Sequence, residues 1–169
     1  MQTIRSGPDV GKALEVLLYV AQSVPDMYHA LKVIYFADKQ HLAEYGRLIY
    51  GDSYVAMRLG PVPSVAYDIV KQVRGDGWCV TKTAADCLEI SGNSIVPRRK
   101  ARMQLLSESE RECLDAAIET YGNLPVSGLI NRSHDAAWES ADQNDLISIE
   151  EIARSIPNSE ALLDYLKNG

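Results

Sequence analysis

The stretch YGRLIYGDSYVAMRLGPVPS, Tyr45 to Ser64, places three glycines, two prolines and three tyrosines between two segments of helical periodicity. The upstream segment opens at Asp26, whose carboxylate can accept from the free N–H groups of a first helical turn. Its apolar residues Met27, Leu31, Ile34, Tyr35, Ala37 and Leu42 recur every three or four positions, and Gly46 is the residue type that ends a helix. Arg47–Tyr50 and Ser53–Leu59, split by Gly51-Asp52, read as extended or weakly strand-like. Gly60-Pro61 stops that run, and Ser64 starts another helix through about Val73. Gly46, Gly51 and Gly60 can take backbone conformations closed to other residues, and Pro61 and Pro63 stiffen the entry to the second helix. The stretch therefore reads either as a rigid loop displaying Tyr45, Tyr50, Tyr54 and Met57, or as a connector packing two helices together.

Working outward, Asp9 caps a first helix whose apolar positions are Val10, Ala13, Leu14, Leu17, Leu18 and Ala21. Asp76-Gly77 makes a turn. Cys87–Ile90 and Ser94–Pro97 flank Ser91-Gly92-Asn93 as a β-hairpin. Ser107 and Glu110 form a capping box that opens a helix through Tyr121, stopped by Gly122. Pro125 begins a short helix to about Ser133, and Ile149–Ile156 and Ser159–Leu166 read as two more. The sequence thus predicts a mainly α (α+β) fold: one compact multi-helix domain over residues 1–169, with a small β-hairpin element and a C-terminal helical extension at 142–169.

With 46% hydrophobic and 24% charged residues the composition is that of a globular chain, and 169 residues suffice for a real core. The formal charge of −6 argues against broad phosphate-backbone binding. Cys79, Cys87 and Cys113 show no CxxC spacing, and no apolar run approaches a membrane span; both point to a reduced, cytoplasmic setting. GPDVGK fails as a phosphate loop, because three residues separate Gly7 from Gly11 and Ala13 follows the lysine. Asp38 and His41 share a helix face, yet no HExxH or Cys/His pattern supplies further metal ligands and no G-x-S-x-G elbow anchors a nucleophile. The expectation is a non-enzyme without metal or cofactor.

Two further features carry binding chemistry. His134 and Trp138, four apart, can stack, either as a helix–helix contact or as a recognition hot spot. Arg98, Arg99, Lys100 and Arg102 follow the hairpin as a dense basic run, which makes a winged-helix DNA-binding regulator the alternative reading. Against it, the helix from Ser64 offers only Lys71 to a phosphate, with Asp68 beside it.

Three segments together resemble a known family: Ala30–Lys71, the hairpin CLEISGNSIVPRR, and LINRSHDAAWESA with its Leu-x4-His-x3-Trp spacing. The first contains Tyr35, Ala37 and Asp38, then Tyr45-Gly46-Arg47, Tyr54-Val55-Ala56 and Gly60-Pro61-Val62. This arrangement is similar to the Panacea domain, also called SocA-like; Ala137 departs from it, since many relatives place Pro before the Trp. The resemblance implies an antitoxin, often phage- or mobile-element-borne, that binds a cognate toxin protein, with the SocA type acting as adaptor to an AAA+ protease. The expected toxin-binding residues are Tyr45, Arg47, Tyr50, Tyr54, Met57, Pro61, His134 and Trp138, on two segments expected to lie side by side.

Overall fold

Helix α2 (Met27–Tyr45) is the central element of the computed structural model, which describes residues 7–168. Asp26 caps it by accepting from the His29 N–H at 3.0 Å, and Gly46 ends it at φ +77°. Every residue from Ala30 to Asp38 is buried, so α2 is covered on all sides rather than along one stripe. Helix α1 (Val10–Ala21) contributes Leu14, Leu17 and Leu18 to the same core. The loop after α2 leads into strands β1 (Tyr54–Met57) and β2 (Gly60–Pro63), then helix α3 (Ser64–Arg74).

A four-residue helix, α4 (Ala84–Cys87), precedes the predicted hairpin of β3 (Leu88–Ser91) and β4 (Ser94–Pro97). Cys87 therefore ends a helix instead of opening the strand. The hairpin docks on the start of α2 through Ile95 N–H to the Pro25 carbonyl and Met27 N–H to the Asn93 carbonyl, both at 2.8 Å. Helix α5 (Glu108–Tyr121), with the full Ser107/Glu110 capping box, packs along α2 and adds Leu114 to the core. Phe36 and Tyr121 stack between these two helices at 3.9 Å.

Helices α6 (Val126–Ser133) and α7 (Ala136–Glu139) come next, then strand β5 (Leu146–Ile147) and helices α8 (Ile149–Arg154) and α9 (Glu160–Asn168). In the C-terminal extension α8 buries Ile152 and Ala153, whereas α9 has no fully buried residue.

Three further features depart from the sequence reading. Gly60-Pro61 does not stop the extended run; the chain reverses at Arg58-Leu59, and β2 pairs antiparallel with β1, Met57 opposite Gly60 and Tyr54 opposite Pro63. The two-residue strand β5 completes the sheet in the order β2-β1-β5, a strand too short for an alternating pattern to reveal. Arg47–Tyr50 is irregular rather than extended, because its backbone bonds go elsewhere: Ile49 N–H to Asp38 and the Tyr50 carbonyl to Asp9 N–H.

Helix α3 begins at Ser64 behind Pro63, a residue with no side chain able to cap it. Asp52, 4% exposed and twelve or more positions upstream, takes that role: its carboxylate accepts from Val65 N–H at 2.8 Å, Ala66 N–H at 3.2 Å, Ser53 N–H at 2.7 Å and the Tyr50 hydroxyl at 2.6 Å. Asp52→Ala orphans the helix N–H groups and a buried hydroxyl together, so urea denaturation should show a loss of about 2–3 kcal/mol, with Asp52→Asn losing about half as much.

Candidate functional site

Two buried carboxyl groups fix the path of the Tyr45–Ser64 stretch. Asp52 holds its centre to α3, and Asp38, 1% exposed on α2, holds the rest to the central helix. Asp38 accepts from the Ile49 N–H at 2.7 Å and the Tyr54 hydroxyl at 2.6 Å. Burial pushes its carboxyl up to about 7, although those two hydrogen bonds pull the other way. The Tyr54 ring lies edge-on to Tyr35 at 5.1 Å. Tyr50 and Tyr54 are therefore internal, and the expectation that the loop displays them is corrected: their hydroxyls need buried acceptors and find Asp52 and Asp38. Pro61 is buried as well.

The second expected segment does lie against the first. His134 ends α6 and Trp138 sits in α7, so they do not share one helix, yet their rings stack at 3.9 Å with planes 4° apart. Asp135 between them caps α7 through the Trp138 N–H and accepts from the Tyr35 hydroxyl at 2.6 Å and Lys39 at 3.0 Å, which ties the turn to α2. The tip of the β1–β2 hairpin is then gripped carbonyl by carbonyl. Trp138 Nε1–H donates to Met57 O at 2.7 Å, His134 Nε2–H to Arg58 O at 3.1 Å, the Tyr28 hydroxyl to Leu59 O at 2.8 Å, and Lys32 Nζ to Pro61 O at 2.7 Å. Lys32 is 1% exposed and burial lowers its pKa to about 7. Gly60, at φ +119°, passes so close that an added Cβ would meet Ser133 Oγ at 2.5 Å and Lys32 Cε at 3.0 Å.

The remaining expected residues are scattered in role. Tyr45 is 48% exposed and rests on the His41 ring at 4.7 Å. Arg47 reaches Glu110, which also pairs with Lys12, while Met57 is half-buried. Asp38 and His41 do not bond to each other; His41 donates to the Arg47 carbonyl and meets Ser109 Oγ. Among the basic run, Arg99 is spent on a two-pronged pair with Glu15 at 2.7 and 2.8 Å, which holds that carboxyl below its usual range, and Arg98 lies 3.9 Å from Glu89. Lys100 and Arg102 are exposed. The winged-helix reading thus loses its central arginine to the core edge.

Arg58 and Leu59 were not singled out from the sequence, and both project from the gripped tip into solvent. A groove of about 310 Å³ lined by Ala56, Arg58, Trp138, Glu139, Ala141 and Gln143 runs beside them. The only hint in the sequence is Gly60, three positions after the end of β1.

Two measurements check this geometry. Gly60→Ala adds a methyl where φ and space both forbid it, so the melting temperature should fall, corresponding to about 2–4 kcal/mol, more than Gly75→Ala at a helix end with open space around it. Asp38 titrates near 7 when folded against 3.8 when unfolded, so the folded chain keeps a proton that the unfolded chain releases between those values. The stability it contributes therefore falls as pH rises through that window, by up to about 1.4 kcal/mol per pH unit. Asp38→Asn should remove this component, and denaturation curves of variant and wild type that stay parallel between about pH 4.5 and 7.5 would refute it.

The family described as antitoxin SocA-like, Panacea domain, matches residues 31–139, from within α2 to the end of α7. That span holds the gripped hairpin and three of the four side chains that grip it, Lys32, His134 and Trp138; Tyr28 lies just before it. No curated protein and no solved structure matches the chain.

Proposed function

The chain belongs to the antitoxin SocA-like, Panacea domain family, and on that premise we propose that it neutralises a cognate toxin by direct protein–protein binding. The observation that carries this reading is the match itself, which covers the hairpin, α2 from residue 31 onward and the α6–α7 turn, parts that are bonded to one another. A pre-formed surface costs little conformational entropy on association, and this unit is cross-linked by side chain-to-backbone bonds throughout. We read the protein as non-enzymatic. Ring nitrogens of all its histidines are engaged in the fold: His29 between Asp26 and the Leu124 carbonyl, His41 between the Arg47 carbonyl and Ser109, His134 on the Arg58 carbonyl. Delivery of the bound toxin to an AAA+ protease is the finer form of the same proposal.

Co-expression with the product of each neighbouring gene tests it. One neighbour should arrest growth alone, grow normally with this chain, and co-purify with it; failure of rescue with every toxic neighbour would sink the proposal. The protease form adds a second readout: toxin abundance should fall on co-expression and recover in a host lacking the protease, whereas simple sequestration leaves abundance unchanged.

A further inference from the structure

We propose that the β1–β2 tip is the partner-contacting element, with Arg58 and Leu59 entering a site on the toxin that presents a carboxylate beside an apolar recess; this rests on the antitoxin reading. The starting observation is a turn braced from outside as well as by its own ladder. Two-residue hairpin loops favour backbones with positive φ, usually supplied by Gly or Asn. Here neither Arg58 nor Leu59 has positive φ; Gly60 behind them does, at +119°, and the bend is reinforced from outside. Trp138, His134, Tyr28 and Lys32 take the carbonyls of Met57, Arg58, Leu59 and Pro61 in turn. So many donors on one short turn immobilise its backbone while leaving its two side chains outside.

Neither side chain belongs to the hydrophobic core. Among the described residues the Arg58 guanidinium makes no hydrogen bond or ion pair, and Leu59 is 40% exposed. An arginine on a fixed backbone next to an exposed leucine is the composition of an interface anchor: the backbone needs no ordering on binding, and only the two side chains lose rotamer freedom. The planar guanidinium fork matches a carboxylate in two parallel bonds. A nucleic-acid phosphate would satisfy Arg58 equally, but not Leu59 or the Ala56, Ala141 and Trp138 walls of the adjacent groove, and the net charge of −6 opposes a polyanion. A protein surface fits both halves of the tip.

The test uses the full chain and the toxic neighbour that wild type rescues. Arg58→Glu and Leu59→Asp should each weaken toxin affinity by about a hundredfold and abolish rescue, with unchanged melting temperature. Lys100→Glu with Arg102→Glu, on the exposed basic run, should leave affinity unchanged. Trp138→Phe keeps the stack and removes one donor to the turn, so amide exchange at residues 57–60 should accelerate and affinity fall by less than with Arg58→Glu. An Asp or Glu to Arg change on the toxin should restore binding to Arg58→Glu. Wild-type rescue that persists undiminished in Arg58→Glu and Leu59→Asp overturns the tip proposal and leaves the antitoxin reading standing. So does an Arg58→Glu variant that loses binding to promoter DNA while keeping the toxin. Absence of rescue by wild type overturns the antitoxin reading, and the tip proposal with it.

Discussion

A loop laid across a buried helix has no ladder partner for most of its backbone N–H and C=O groups, and each one left unmade in the interior costs more than a typical hydrogen bond returns. That constraint organises residues 46–63. Side chains supply what secondary structure cannot: Asp38 and Asp52 accept from backbone N–H groups and from the two internal tyrosines, and Lys32, Tyr28, His134 and Trp138 donate to carbonyls. The donors come from α2 and the α6–α7 turn, which Asp135 in turn binds to Tyr35 and Lys39. Removing Asp38, Asp52 or Lys32 leaves a buried partner unsatisfied, so these members are cooperative in their contribution to stability.

The buried ionisable groups sort by whether they have a counter-charge. Glu15 with Arg99, and Glu110 with Lys12 and Arg47, are paired, and their carboxyls are lowered despite burial. Asp38, Asp52 and Lys32 have hydrogen bonds but no opposite charge in direct contact, and burial moves each toward its neutral form. The paired groups join distant elements: α1 to the segment after β4, and α1 to α5 and the start of the loop. The unpaired ones lie around the hairpin, where the same low dielectric that disfavours charge strengthens the neutral bonds.

Helices α1, α2 and α5 were legible because their ends are written locally, whereas the four-residue α4 and α7 are too short for a periodic pattern. Asp9, Asp26 and Ser107 cap as their residue types require, and Gly46 stops α2 in the left-handed conformation. The second hairpin was legible too, since Gly92 supplies the positive φ its turn needs. The first was not, because Arg58-Leu59 is not a turn-favouring pair, Gly60 is the one turn residue beside it, and the side chains that brace it lie dozens of positions away. The tyrosines misled for a related reason: an amphipathic ring serves an interface or a core equally well, and the presence of Asp38 and Asp52 as buried acceptors decides for the core. Exposure of Arg58 and Leu59 follows from that braced turn, which the sequence marks by Gly60 alone.

The grip on the β1–β2 tip is blind to side-chain identity, because its donors read carbonyl oxygens, which every residue carries. Substitution at 58 or 59 changes the chemistry shown to solvent while the bonds that set the turn stay the same. A lineage can therefore exchange these two residues without passing through unfolded intermediates, and specificity can drift toward a new partner at constant stability. The cost of that freedom falls on the residues that do the gripping, where Trp138, Tyr28, Lys32 and Gly60 are fixed by geometry and leave little for selection to vary.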